Sequence, residues 1–155
     1  MRNEEIILKL VENNITISTA ESCTGGSLGK IITSVSGVSS IYGFGFITYA
    51  NEAKEKILGV SHETLESYGA VSYQTALEMA IGARKVSGSD IAVSVTGIAG
   101  PGGGTPEKPV GLVYIAIADK DGAEYRKLNL DGNRDEIRAK TCDCVFALIK
   151  EKLNF

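Results

Sequence analysis

Apolar residues recur at helical spacing in the opening segment "NEEIILKLVENN", where Ile6, Ile7, Leu10 and Val11 fall on one face of a helix over residues 3–13. A short buried strand follows near residues 15–19. After "ESCTGG" comes a second helix over 26–34, stopped by the turn cluster "SVSGVSS". "IYGFGFITYA" reads as a strand ending at Tyr49, thinned by Gly43 and Gly45 where another backbone approaches. "NEAKEKILGV" reads as a helix with Asn51 as its N-cap and Gly59 as its stop. A longer helix over 72–86 turns Ala76, Met79, Ala80 and Ala83 inward, and "DIAVSVTG" is a β-branched run of a fully buried strand.

The segment 97–109, "GIAGPGGGTPEKP", holds all three prolines of the chain among closely spaced glycines, a composition that excludes regular structure. A loop of that length inside a small domain is usually functional. "GLVYIAIA" and "AEYRKLNL" flank residues 119–122 as a hairpin, and a last helix covers 134–153. Helices alternating with buried strands predict a three-layer α/β/α sandwich, in which the hairpin forces one antiparallel strand into a mixed, mostly parallel sheet.

Composition narrows the class. The 155 residues are 43% apolar and 23% charged, as in one globular domain. A net charge of −3 with scattered Lys and Arg lacks the footprint of a nucleic-acid binder. No apolar run reaches membrane-spanning length, and Glu4 and Glu5 stand where a signal peptide would be basic, so a cytoplasmic protein without membrane partner is expected. Cys23, Cys142 and Cys144 form an odd set without metal-site spacing, which favours structural thiols over a zinc site or a disulfide.

The candidate chemistry gathers where strands end. In an open parallel sheet, loops leaving the C-terminal ends of strands build the ligand crevice. Residues 19–26, 49–54 and 97–109 all leave strands in this way. The first places Ser22 just before a helix, whose free N–H groups could hold an oxyanion, with Gly25 and Gly26 permitting close approach. Serine needs a base. Lys54, one turn into its helix, can serve if burial lowers its pKa, whereas nothing ties the lone His62 to the crevice. Blander roles stay open at this point: Ser22 as a helix cap, Lys54 as a solvated charge, Tyr49 as a packed strand end. "GGSLGKII" approaches a nucleotide-binding phosphate loop, but Ile31 stands where that motif needs a metal-binding hydroxyl, and "GPGGGTP" does not open a helix. Both nucleoside-triphosphatase and dinucleotide-fold readings are therefore set aside.

"TAESCTGG" (19–26), "FITYANEAK" (46–54), "VTGIAGPGGGTPEKPVGLVYIA" (95–116) and "GNRDEIR" (132–138), in that order, resemble the C-terminal domain of the competence/damage-inducible protein CinA, a domain also found alone as nicotinamide-nucleotide amidohydrolase. The resemblance implies an α/β/α fold with a five-stranded mixed sheet. It also implies hydrolysis of the carboxamide of nicotinamide mononucleotide to nicotinate mononucleotide and ammonia, in the salvage of pyridine nucleotides. Catalytic serine, tyrosine and lysine fall on Ser22, Tyr49 and Lys54. Residues 1–155 are then expected to form one amidohydrolase domain, and activities of the molybdopterin-binding-like N-terminal domain of two-domain members are not carried over.

On this reading Ser22 attacks the amide carbon, Lys54 takes its proton with Tyr49 positioning or relaying it, and backbone N–H groups at Thr24, Gly25 and Gly26 form the oxyanion hole. Gly97, Gly100, Gly102, Gly103, Gly104 and Thr105 are expected to wrap the ribose phosphate. Arg138 or Arg134 would pair with the phosphate, each with surface salt bridging as the alternative. No metal or organic cofactor is expected; the partner is a small nucleotide, and a homo-oligomer is left open. The competing function is a non-catalytic nucleotide-binding or interaction domain linked to competence or DNA damage.

Overall fold

The computed structural model describes residues 1–155, arranged as α1 (Asn3–Glu12), β1 (Ile17–Glu21), α2 (Ser27–Thr33), β2 (Phe44–Ile47), α3 (Asn51–Leu58), α4 (His62–Tyr68), α5 (Tyr73–Ser87), β3 (Ile91–Gly97), β4 (Leu112–Asp119), β5 (Gly122–Asn129) and α6 (Arg134–Leu153). The five strands form one sheet in the order β2-β1-β3-β4-β5. β1 pairs in parallel with both β2 and β3, while β4 is antiparallel to β3 and to β5. Only β4 therefore runs against the other strands, as the hairpin requires.

Side-chain alternation sorts the two faces. Ile91, Val93 and Val95 of β3 and Val113, Ile115 and Ile117 of β4 join Ile6, Leu10, Leu28, Ile32, Phe146 and Ile149 in one large core under α1, α2 and α6. The opposite face carries small residues. Ala116 and Ala118 meet Ala76 and Ala80, while Ala20 and Ala92 meet Met79 and Ala83, so α5 lies close against the sheet. Ser94 Oγ spans this contact by donating to the Ala76 carbonyl at 2.6 Å.

Several local expectations need correction. Ala50, not Asn51, is the N-cap of α3, and Asn51 is its first helical residue. β1 begins and ends two residues later than the apolar run suggested, because its pairing with β3 carries on through Glu21. β2 stops at Ile47, so Tyr49 lies beyond the strand. α4 was not expected: with Leu65 as its sole buried residue it shows no apolar period, and Ser61 caps it by accepting from the Thr64 N–H.

Candidate active site

β1 lies between its two parallel neighbours, so the loop leaving it is flanked by the loops leaving β2 and β3. The ladder continues past the strand ends. Ser22 N–H donates to the Val95 carbonyl at 3.1 Å, and Thr48 N–H donates to the Glu21 carbonyl at 2.9 Å. These bonds fix the backbone on both sides of Ser22, whose side chain stays at the margin of exposure, 9%.

Lys54 reaches this point from the first turn of α3. It is 1% exposed, one of the largest fully buried side chains of the protein. Its Nζ donates to the Thr48 carbonyl at 2.8 Å, to Ser22 Oγ at 3.1 Å and to the Tyr49 carbonyl at 3.3 Å. None of these partners is a carboxylate. Burial without a counterion penalises the ammonium, and this desolvation lowers the Lys54 pKa below the ordinary lysine value. When Lys54 is neutral, its lone pair can accept the Ser22 proton across the same 3.1 Å.

Cys23 is the other nucleophile in the loop, and its surroundings act in the opposite sense. Burial pushes its thiol up to about 11, so the thiolate is disfavoured. His62 lies elsewhere, its ring bonded to Glu55 at 3.0 Å and Glu66 at 3.1 Å on an exposed surface.

The structure does not bring the Tyr49 hydroxyl to Ser22 or Lys54. Only the Tyr49 carbonyl touches Lys54, while the ring is 63% exposed and its hydroxyl accepts from Arg134 Nη2 at 3.1 Å. The same guanidinium donates through Nη1 to the Gly100 carbonyl at 2.7 Å. Arg134 thus ties the loop after β2 to the Gly-rich loop after β3. It stands in the first turn of α6, where a cation is unfavourable beside the positive end of the helix dipole, so this placement is not explained by helix stability.

Among the three expected oxyanion donors, Thr24 and Gly26 N–H make no hydrogen bond within the protein, whereas Gly25 N–H is engaged by the Ser22 carbonyl at 3.1 Å. The first turn of α2 is also not free, which corrects the expectation that its N–H groups face the crevice. Glu21, 2% exposed, accepts from Leu28 N–H at 2.9 Å and from Gly29 N–H at 3.2 Å. Gly26, at φ +107, occupies the N-cap position with no side chain to offer, and the Glu21 carboxylate replaces it. Sequence reasoning missed Glu21; the signal was a carboxylate closing the buried run "ISTAE" ahead of a helix without a capping side chain.

The Gly-rich loop runs from the end of β3 to the start of β4. Gly97 is needed for packing, because a Cβ there would lie 2.6 Å from a Val113 methyl and 2.8 Å from the Leu112 carbonyl. Gly100, Gly102, Gly103 and Gly104 follow, with residues 101–105 exposed. Thr105 Oγ1 accepts from Lys108 N–H at 2.9 Å, and Lys108 Nζ ties the turn to the Tyr68 carbonyl. A groove of about 340 Å³ lies between this loop and the start of α6, lined by Ala99, Pro101, Val110 and Arg134 among others. Arg138 instead turns toward the Ser22 loop, donating from Nε to the Cys23 carbonyl at 3.2 Å and from Nη2 to the Thr24 carbonyl at 3.0 Å. No group of three or more His, Cys, Asp or Glu side chains is placed to hold a metal ion. No helix is long and apolar enough to cross a membrane.

Known proteins share this fold. The crystal structure of the competence/damage inducible protein CihA from Agrobacterium tumefaciens superposes with a TM-score of 0.93 at 44% identity, covering 99% of this chain and 93% of that one. The competence damage-inducible protein A (ComA) of Klebsiella pneumoniae gives a TM-score of 0.94 at 32% identity, covering 99% and 98%. A CinA-like protein of Kosmotoga olearia is 53% identical over 146 residues, which are 94% of this chain and 35% of that protein. The chain spans about a third of the length of the curated relatives it matches. With the CinA C-terminal domain family matching residues 2–153, sequence and fold agree over almost the whole chain, and it belongs to that family.

Proposed function

We propose that the chain is a nicotinamide-nucleotide amidohydrolase of the cytoplasm, converting nicotinamide mononucleotide to nicotinate mononucleotide and ammonia with Ser22 as nucleophile and Lys54 as base. The observation that carries this reading is the buried Lys54 Nζ, without a carboxylate partner, 3.1 Å from Ser22 Oγ. A solvated helix lysine would gain nothing from this position, and a lysine that serves only as a charge would have a counterion.

Ser22 Oγ attacks the carboxamide carbon as its proton passes to neutral Lys54. The resulting oxyanion takes the unspent Thr24 N–H, with Gly26 N–H as a second donor. The Lys54 ammonium gives its proton to the amide nitrogen as collapse breaks the C–N bond, so that ammonia leaves and Lys54 is neutral again. Water, deprotonated by the same amine, then hydrolyses the ester on Ser22. Tyr49, whose hydroxyl is held by Arg134, acts at the mouth of the crevice, its exposed ring available to the cationic pyridinium of the substrate. The phosphate belongs to the groove between the Gly-rich loop and the start of α6, because Arg134 lines that groove while Arg138 turns away to the Ser22 loop.

Incubation with nicotinamide mononucleotide and continuous measurement of ammonia tests the proposal. Catalytic release, with free nicotinamide at least about a hundredfold poorer in kcat/KM, is the expected result, because several charge-assisted phosphate contacts of about 1.5–3 kcal/mol each are lost with the free base. Binding of the mononucleotide without ammonia release would point instead to a regulatory domain.

A further inference from the structure

We infer that Arg138 is a positioning residue of the oxyanion hole: its guanidinium holds the Cys23 and Thr24 carbonyls and thereby fixes the Thr24 N–H toward Ser22. The inference rests on the proposed deamidation and deepens it. Arg138 sits in the second turn of α6, its side chain 31% exposed. Its one carboxylate neighbour, Asp135, is 3.9 Å away and almost fully exposed, so the pair holds the guanidinium weakly. The specific contacts are the two carbonyls, at 3.2 and 3.0 Å.

Peptide geometry converts those contacts into an orientation. In a trans peptide the C=O and the N–H of one unit point to opposite sides of the chain, and the sole cis bond of the protein is elsewhere, before Pro101. The Thr24–Gly25 unit shows which sides these are: its carbonyl accepts from Arg138 and also from the Ser27 N–H and hydroxyl, at 3.0 and 2.7 Å, while its N–H reaches the Ser22 carbonyl at 3.1 Å, so the Cys23 carbonyl is the one that Arg138 alone holds. The Cys23–Thr24 unit also gives its carbonyl to Arg138, so its N–H, that of Thr24, points away from the guanidinium toward the Ser22 side.

An independent observation marks Thr24. The residue is fully buried, its N–H has no acceptor, and its hydroxyl has no hydrogen-bond partner either. A buried residue with both polar groups unsatisfied is uncommon unless a ligand completes it. Charge-assisted bonds at the carbonyl end also polarise each unit and strengthen its N–H as a donor. Arginine suits the task because one rigid fork spans two successive carbonyls, which a lysine ammonium cannot do in one fixed geometry.

Arg138→Lys and Arg138→Met, compared with wild type, test the inference through kcat and KM for nicotinamide mononucleotide and through the rate at which diisopropyl fluorophosphate labels Ser22, followed by intact mass. The phosphoryl oxygen of that reagent needs the same donors. Expected is a fall of about 10–100-fold in kcat with KM, mononucleotide preference and the midpoint of the pH profile unchanged, less than or equal to what deletion of an oxyanion donor costs. Labelling slows in parallel, and Lys is milder than Met. Should Arg138→Met fail to fold, as seen by its melting curve, Arg138→Lys decides alone. A raised KM with unchanged kcat would assign Arg138 to the substrate phosphate and overturn the inference, as would unchanged kcat and labelling. If wild type labels at Ser22 but leaves the mononucleotide intact, the proposed function fails while the labelling rates still decide the role of Arg138; if wild type does neither, both fall.

Discussion

Replacing Lys54 by methionine should separate the energetic cost of this lysine from its chemical use. Methionine follows the unbranched stem and fills the same buried space. The amine gives up bonds to the Thr48 and Tyr49 carbonyls and to Ser22 Oγ. Leaving a buried carbonyl without its donor costs about 1–3 kcal/mol. Against this, an ammonium buried without a counterion carries a desolvation penalty of several kcal/mol that methionine removes. The two terms nearly cancel at neutral pH, so the variant should fold with a melting temperature close to or above wild type.

The pH dependence carries the sign. Lys54 is lowered in the folded protein by desolvation, while the unfolded chain titrates near the ordinary value of 10.5. Between these two values the unfolded state binds more protons, so wild-type stability rises with pH across that window and is flat below it. Each factor of ten by which the fold disfavours the proton is worth about 1.4 kcal/mol. Any stability advantage of Lys54→Met is therefore greatest at low pH and shrinks as pH approaches 10.5, by about 2–4 °C of melting temperature per kcal/mol for a chain of this size. Melting curves of both proteins in matched buffers from pH 6 to 10 read this difference. Ammonia release by the variant should fall by at least about 10²–10⁴-fold, the usual contribution of a general base. A stability difference independent of pH would show that Lys54 stays charged throughout, and the base assignment would be refuted.

Other expectations concern its neighbours. Cys23→Ala should keep most ammonia release, because the thiol, pushed up to about 11 by burial, is not the nucleophile; loss of turnover in a folded Cys23→Ala would contradict this. Arg134→Ala should raise KM for the mononucleotide by about 10–100-fold, the worth of one charge-assisted bond, and narrow the preference over the riboside, as steady-state kinetics on both substrates will show. Glu21→Gln removes the charge at the start of α2 and leaves one amide oxygen for two N–H groups; a loss of about 1–2 kcal/mol in urea unfolding is expected, and an unchanged midpoint would remove Glu21 from its capping role.

Legibility in the sequence followed the range of the interactions. The start of α6 is legible because it is local: Asn133 and Glu136 form a capping box within three residues. The β4–β5 hairpin was equally local. The meeting of residues 22 and 54 follows from the parallel sheet, since loops leaving the C-terminal ends of parallel strands share an edge. The burial of Lys54 does not. "NEAKEKIL" offers Lys54 and Lys56 in similar company, and only the tertiary placement of α3, packed beside α5, makes one lysine 1% exposed and leaves the other at the surface. The roles of Arg138 and Glu21 are likewise tertiary, as each acts on backbone atoms that no side-chain motif displays.

The most direct test of the Ser22–Lys54 mechanism is the rate of ammonia release from nicotinamide mononucleotide by Ser22→Ala, measured at saturating substrate beside wild type. The hydroxyl is the sole atom removed, and its backbone ladder to Val95 remains. Wild-type turnover with a loss of at least about 10³-fold in the variant, substrate binding retained, is the predicted result for a covalent nucleophile acting with its base. Turnover within tenfold of wild type would contradict it and place the chemistry on another residue.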